Sequence, residues 1–180
     1  EKVVAMIAPA IEGQFEGNLE QIKKAIKAVG FTEVVEVAEG AKITAEREAK
    51  ELMEKKEKGE GYLATSCCPA WFSLVDKHIP AIRDHISTTL SPTGYTAQIC
   101  KERFPGYKVV FIGPCVAKRY EAATKYPELI DRVLSYGELA SIFVAKGVNV
   151  ADMPKDYEDD DVCRAIDDCR DFAVSGGVAE

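Results

Sequence analysis

Two short stretches hold the residue types from which metal or redox chemistry is built. Thr65-Ser66-Cys67-Cys68-Pro69-Ala70-Trp71 sets two thiols side by side after an apolar run, and Gly113-Pro114-Cys115 sets a third thiol beside a proline after another. Pro69 suits the first position of a helix, which makes Cys68 its N-cap, where unpaired backbone N–H groups and the helix dipole favour a thiolate. A thiolate is the form that binds iron or zinc. One Cys-Cys pair read alone is as well explained by two small buried residues at a strand end. The second strand-end cysteine, with Lys118 one turn beyond it, turns the reading toward a site.

Other residues of these types read as structural. His78 and His85 lie seven apart, but Pro80 interrupts them and no third ligand is spaced nearby, so they are expected at the surface. Cys100 falls among Ala97 and Ile99 in a helical pattern and is expected in the core. Cys163 and Cys169, six apart, fall on different faces of a helix and have no assigned role.

The chain of 180 residues, 47% hydrophobic, is long enough to bury the core of one domain. Its 30 acidic residues outnumber 23 basic ones for a net charge of −7, and no Lys/Arg cluster suited to tracking phosphates is present, which argues against nucleic acid as a partner. No apolar run is long enough to span a bilayer, and no membrane partner is expected. Six cysteines without an export signal read as reduced thiols, metal ligands or redox groups, and a cytoplasmic location is the expectation. The opening apolar run directly after Glu1-Lys2 and the closing Ser175 to Glu180 are those expected of a segment of a longer polypeptide.

The elements that must position these residues alternate between strand and helix patterns. A strand over Val3 to Pro9 precedes a helix capped by Asn18, with Leu19, Ile22, Ile26 and Val29 on one face and Gly30 at its end. Thr32 to Ala38 reads as a strand, Thr44 as the cap of a helix through Lys58, and Gly61 to Ser66 as a short apolar strand. A helix from Pro69 and another over Tyr95 to Arg103 follow, then a strand over Lys108 to Ile112, a strand over Arg132 to Ser135 and a helix over Gly137 to Lys146. The acidic run Asp156 to Asp161 reads as a solvated loop or helix start. This alternation predicts an α/β fold, a three-layer lobe with a mostly parallel sheet flanked by helices, and ligands beyond the carboxyl ends of its strands. Both cysteine motifs fall there.

These motifs resemble those of the iron-only hydrogenases. TSCCPAW is similar to the family's first signature, and Gly113-Pro114-Cys115-Val116-Ala117-Lys118-Arg119-Tyr120-Glu121 is similar to its second, usually MPCxxKxxE. The segments Ile7 to Ala10 and Phe172 to Glu180 resemble others of its catalytic domain, in the same order. The resemblance implies that residues 1–180 form the N-terminal lobe of an H-cluster domain, with a second lobe beyond. It also implies an H-cluster, a four-iron cubane (4Fe-4S) joined through a cysteine sulfur to a di-iron unit bearing carbon monoxide, cyanide and a bridging dithiolate amine. Cys68 and Cys115 are implied as two cubane ligands, and Cys67 as the thiol that passes protons to the bridging amine. Lys118 is implied as the donor to a cyanide, beside Ala8, Pro9, Ala10, Gly113 and Pro114 around the cluster. Glu48, Glu51 and Ser87 match the family's proton-relay positions. Glu48 is expected to be partly buried on a helical face with Ala45, Ala49 and Leu52, which would raise its pKa.

Two positions depart from the pattern: Gly113 stands where methionine is usual, and Ala10 where serine is frequent. The third signature, with the other two cluster cysteines, is expected beyond Glu180, so a cluster held by this segment alone would be incomplete. Three functions follow from the resemblance: a hydrogenase working with a ferredoxin-like electron carrier, a hydrogen or redox sensor reporting to a signalling domain, and a related iron–sulfur assembly protein. The adjacent Cys67 and Cys68 weigh against the third, and Gly113 weighs toward the second. A plain nucleotide-binding module would need a Gly-rich phosphate loop, which is missing. Apolar surface near Trp71 and Phe172, if left uncovered, would favour self-association.

Overall fold

The computed structural model describes residues 1–155. Cys163, Cys169, Phe172, the acidic run and the closing segment lie outside the described residues. Four strands, β1 (Val3–Ile7), β2 (Glu33–Glu36), β3 (Lys108–Ile112) and β4 (Arg132–Leu134), form one sheet in the order β2-β1-β3-β4. All pairs are parallel, with Met6 opposite Val35 on one side and Phe111 on the other. β1 and β3 are central, and their near-continuous apolar sequences, VVAMI and KVVFI, suit strands covered on both faces.

Helices cover both faces, so the α/β lobe with a parallel sheet is the observed architecture. On one face α1 (Leu19–Ala28) and α6 (Tyr136–Lys146) pack on Ala5, Ile7, Val110 and Ile112. On the other, α4 (Pro92–Arg103) and α5 (Ala117–Lys125) enclose Val4, Met6, Val109 and Phe111 with Ala97, Cys100, Ala122 and Tyr126. Two further helices, α2 (Ala38–Glu57) and α3 (Pro69–His78), complete this side, α2 packed on α4 and α3 on α5. Asn18 caps α1 with a full capping box, and Gly30 follows its end at φ +120°.

Several local expectations are corrected. Thr44 does not cap α2, which starts at Ala38; its hydroxyl lies inside the helix, bonded to Gly40 O at 3.1 Å and Leu90 O at 3.2 Å. Ser, Thr, Asn and Asp side chains bond backbone at caps and within helices alike, so the residue type alone did not locate the boundary. Gly61 to Ser66 is not a strand; one bridge, Ala64 to Ile86, is its only sheet-like pairing. α4 starts at Pro92 with Ser91 as cap, earlier than the apolar pattern showed, because its first turn is buried through small and polar residues. Ser135 belongs to no strand and caps α6. Cys100 is in the core, and His78 is exposed at the end of α3. Among the described residues no helix is long and apolar enough to cross a membrane.

α2 and α4 approach each other closely at Gly40. A Cβ added to Gly40 would lie 2.2 Å from Pro92 O and 2.3 Å from Thr96 Oγ1, so the helices meet there backbone to backbone. That crossing sets where the middle of α2, with Glu48 and Glu51, runs relative to the rest.

Candidate functional site

The site lies at the carboxyl edge of the sheet and in the connection from α2 to α3. β1 is followed by Ala8, whose N–H donates to Ile112 O at 2.9 Å and whose carbonyl accepts from Tyr136 Oη at 3.2 Å. Pro9–Ile11 then turns away as a short 3-10 helix, leaving Ala10 exposed. β3 is followed by Gly113, buried, its N–H donating to Leu134 O at 3.0 Å; Pro114 is exposed and Cys115 half-buried.

Cys68 is the N-cap of α3 with Pro69 in the first turn, and its Sγ accepts from Trp71 N–H at 3.4 Å. An acceptor sulfur at a helix N-terminus is an environment suited to the thiolate. Cys67 Sγ lies 3.3 Å from Thr65 Oγ1. Burial pushes the Cys67 thiol pKa up; the Thr65 hydroxyl and Lys118 oppose the rise, and Glu48 adds to it.

Lys118 joins the two cysteine motifs. Its backbone N–H donates to Cys115 O at 3.2 Å, while its ammonium donates to Cys67 O at 3.1 Å and to Glu121 Oε2 at 2.6 Å. Glu121 is 1% exposed, and its Oε1 has no hydrogen-bond partner among the described residues.

Behind Cys67 the structure brings Glu48, Ser87 and Glu51 together. Glu48, 8% exposed, accepts from Ser66 N–H at 2.9 Å, and Ser66 Oγ lies 3.3 Å from the same carboxylate oxygen. Ser87 Oγ donates to Glu51 Oε2 at 2.7 Å. Thr88 N–H reaches both oxygens of Glu51 at 3.2 Å. Burial raises the pKa of Glu48, while the Ser66 and Ser87 hydrogen bonds pull against it. The face carrying Glu48 is formed by Ala41 and Thr44; Ala45 and Ala49, expected beside it, are exposed.

Thr65, Ser66 and Glu121 stand inside the two quoted motifs without a role of their own, and Thr88 and Tyr136 are not singled out by the sequence. Glu121 had a signal, its i,i+3 spacing from Lys118. Thr65 and Ser66 adjoin the cysteines, whereas Tyr136 and Thr88 reach the site only through the tertiary fold.

The donor chemistry fits an iron–sulfur group: soft sulfur ligands, one at a helix N-cap, with a lysine between the two motifs. The ligand count is partial. Cys67, Cys68 and Cys115 are free thiols, and among the described residues no three His, Cys, Asp or Glu side chains gather to hold a metal ion.

All 180 residues match the family described as iron only hydrogenase large subunit, C-terminal domain. The chain belongs to this family. It is 29% identical to the periplasmic Fe hydrogenase large subunit of Nitratidesulfovibrio vulgaris, across 99% of the chain and 48% of that protein. It is 31% identical to the cytosolic Fe-S cluster assembly factor NAR1 of Meyerozyma guilliermondii, across 65% of the chain and 25% of that protein. The fold is similar to that of the FeFe-hydrogenase HydA1 from Chlamydomonas reinhardtii, with a TM-score of 0.76 and 26% identity over 86% of this chain and 45% of that one. The chain thus spans less than half the length of these relatives.

Proposed function

We propose that this chain is the N-terminal lobe of a hydrogenase-type protein that interconverts hydrogen with protons and electrons. The observation that carries this reading is the group of hydrogen-bonding side chains behind Cys67: the buried Glu48 carboxylate, which accepts from Ser66 N–H, and the Ser87 hydroxyl, which donates to Glu51. Cys68 and Cys115 would hold the cubane of an H-cluster together with two cysteines supplied beyond the described residues, and Lys118 would turn its ammonium to a cyanide of the di-iron unit. When bound, that cluster supplies the electrons and the metal at which hydrogen is handled. Cys67 carries the proton between it and the protein. Glu48 exchanges the proton with Cys67, since burial brings its pKa toward the range of a useful relay. Ser87 passes it to Glu51, which is half-buried and opens toward solvent. Ala8, Pro9, Ala10, Gly113 and Pro114 form the wall.

The electron partner on this reading is a ferredoxin-like carrier. A sensor signalling to another domain is the second reading, and Gly113 favours it. An iron–sulfur assembly role is supported by the likeness to the NAR1 protein. We place the protein in the cytoplasm because the three thiols of the site, Cys67, Cys68 and Cys115, form no disulfide.

The test uses the full-length protein matured with its metal. Cys68→Ala is expected to lose cluster iron and visible absorption, whereas Cys67→Ala keeps the iron and loses turnover, with Cys67→Asp retaining more. Equal iron loss in Cys67→Ala and Cys68→Ala, or full hydrogen turnover in Cys67→Ala, refutes the division of roles. Iron binding without any hydrogen turnover in the unmodified protein would favour the sensor or assembly reading.

A further inference from the structure

Gly113 lacks a side chain for a reason visible in the structure. Its φ lies outside the left-handed region, so the backbone there is open to any residue. The obstacle is steric. A Cβ at position 113 would meet Cε1 and Cζ of Phe111, each at 2.6 Å, and Ala8 Cβ at 3.3 Å. Residues two apart along an extended chain share a face, and the Phe111 ring lies along that face from β3 into the space under residue 113. The ring is 2% exposed and belongs to the apolar cluster that includes Met6, Val35, Ala97 and Ala122. Interiors at crystal-like density leave such a ring little room to step aside.

We propose that Phe111 is the positioning residue of the cysteine cleft: its ring tip takes the volume a side chain at 113 would fill and fixes the Gly113-Pro114-Cys115 turn from below. Residues 111 and 113 then form a reciprocal pair in which a large ring at one demands glycine at the other. Two neighbouring contacts pin the same floor. Gly113 N–H is held by Leu134 O, and Ala8 by Ile112 and Tyr136. The Gly113 backbone is therefore seated on an aromatic ring in the core on one face of the sheet, and Cys115, two residues on, inherits its position. The inference rests on the hydrogenase-type reading only in taking Cys115 to be a ligand.

The pair is tested in the full chain without metal, by thermal unfolding and by the rate of Cys115 alkylation, quantified by peptide mass spectrometry. Gly113→Ala, which adds only the Cβ, is expected to lower Tm by about 3 °C or more, and Gly113→Met by about 5 °C or more. Phe111→Val alone is also expected to lower Tm, through the space it leaves. The double change Phe111→Val with Gly113→Met should recover at least half of the summed loss and return Cys115 alkylation to within about twofold of the parent, against a severalfold rise in Gly113→Met. Gly113→Ala without loss, or a double variant whose losses simply add, overturns the proposal. If Gly113→Met fails to fold, Phe111→Val with Gly113→Ala carries the same comparison. In a second arm, the full-length protein is loaded with metal and the reduction potential of its cluster is followed by EPR. Gly113→Met is expected to shift the potential and the double variant to restore it; an unshifted potential in Gly113→Met overturns the positioning role. A protein that takes up no iron sinks the hydrogenase reading, while the unfolding and alkylation arms still decide the pairing.

Discussion

Replacing Gly40 by alanine tests the crossing that delivers Glu48 to the site. In an exposed helix interior, glycine to alanine stabilises by about 1 kcal/mol, since alanine loses less backbone entropy on folding. At Gly40 the new Cβ would fall 2.2 Å from Pro92 O, 2.3 Å from Thr96 Oγ1 and 2.8 Å from Thr96 N, far inside the 3.4 Å at which contact becomes ordinary. Two of these three atoms are backbone, so no rotamer change relieves them. Overpacking costs about 1 to 3 kcal/mol, and a contact this short belongs at the upper end. The difference leaves Gly40→Ala destabilised by about 1 to 2 kcal/mol, a fall in Tm of about 5 °C for a domain of this size. An opened crossing also moves Glu48 from Ser66, so exchange of the Ser66 amide proton should accelerate. Urea unfolding followed by circular dichroism gives the first number and hydrogen exchange the second. Ala49→Gly, at an exposed position of the same helix, calibrates the propensity effect at a loss of about 1 kcal/mol. A Gly40→Ala variant as stable as the parent, or more stable by the propensity difference, would show that α2 and α4 do not meet as described.

Glu48 gives a pH test. Its pKa is raised, chiefly by burial, so its contribution to stability is fully present below its unfolded value and is lost as pH rises through its folded value. Glu48→Gln keeps an acceptor for Ser66 N–H and should flatten the fall in stability as pH rises above the ordinary glutamate range of about 4, seen as urea midpoints across a pH series; an unchanged slope counts against the raised pKa. Lys118→Met leaves Glu121 buried without its ion-pair partner and is expected to cost about 3 kcal/mol at neutral pH in metal-free protein. Adding Glu121→Gln should restore most of that loss, and if it does not, the pair is not what holds Lys118.

The sequence by itself determined the alternation of strands and helices, because continuous apolar runs such as VVAMI and KVVFI and the 3.6-residue pattern of α1 are local signals of burial. It determined the N-cap position of Cys68 for the same kind of reason, since Pro69 acts on its immediate neighbours. Element limits that depended on partners were not legible. Thr44 looks like a cap until Leu90 and Gly40 are seen around it, and Gly61 to Ser66 has the composition of a strand but only Ile86 to pair with. The grouping of Glu48 with Ser87 came through resemblance alone, for nothing local marks one helical glutamate as buried and another as exposed. Only the tertiary structure decided which face α2 turns inward, because the backbone contact at Gly40 sets its rotation against α4 and thereby brings Glu48 to Ser66 and Ser87. It also decided the meaning of Gly113. Position 113 is glycine in the sequence for no visible reason, and the reason is a ring two residues earlier that folding lays into the space a side chain would need.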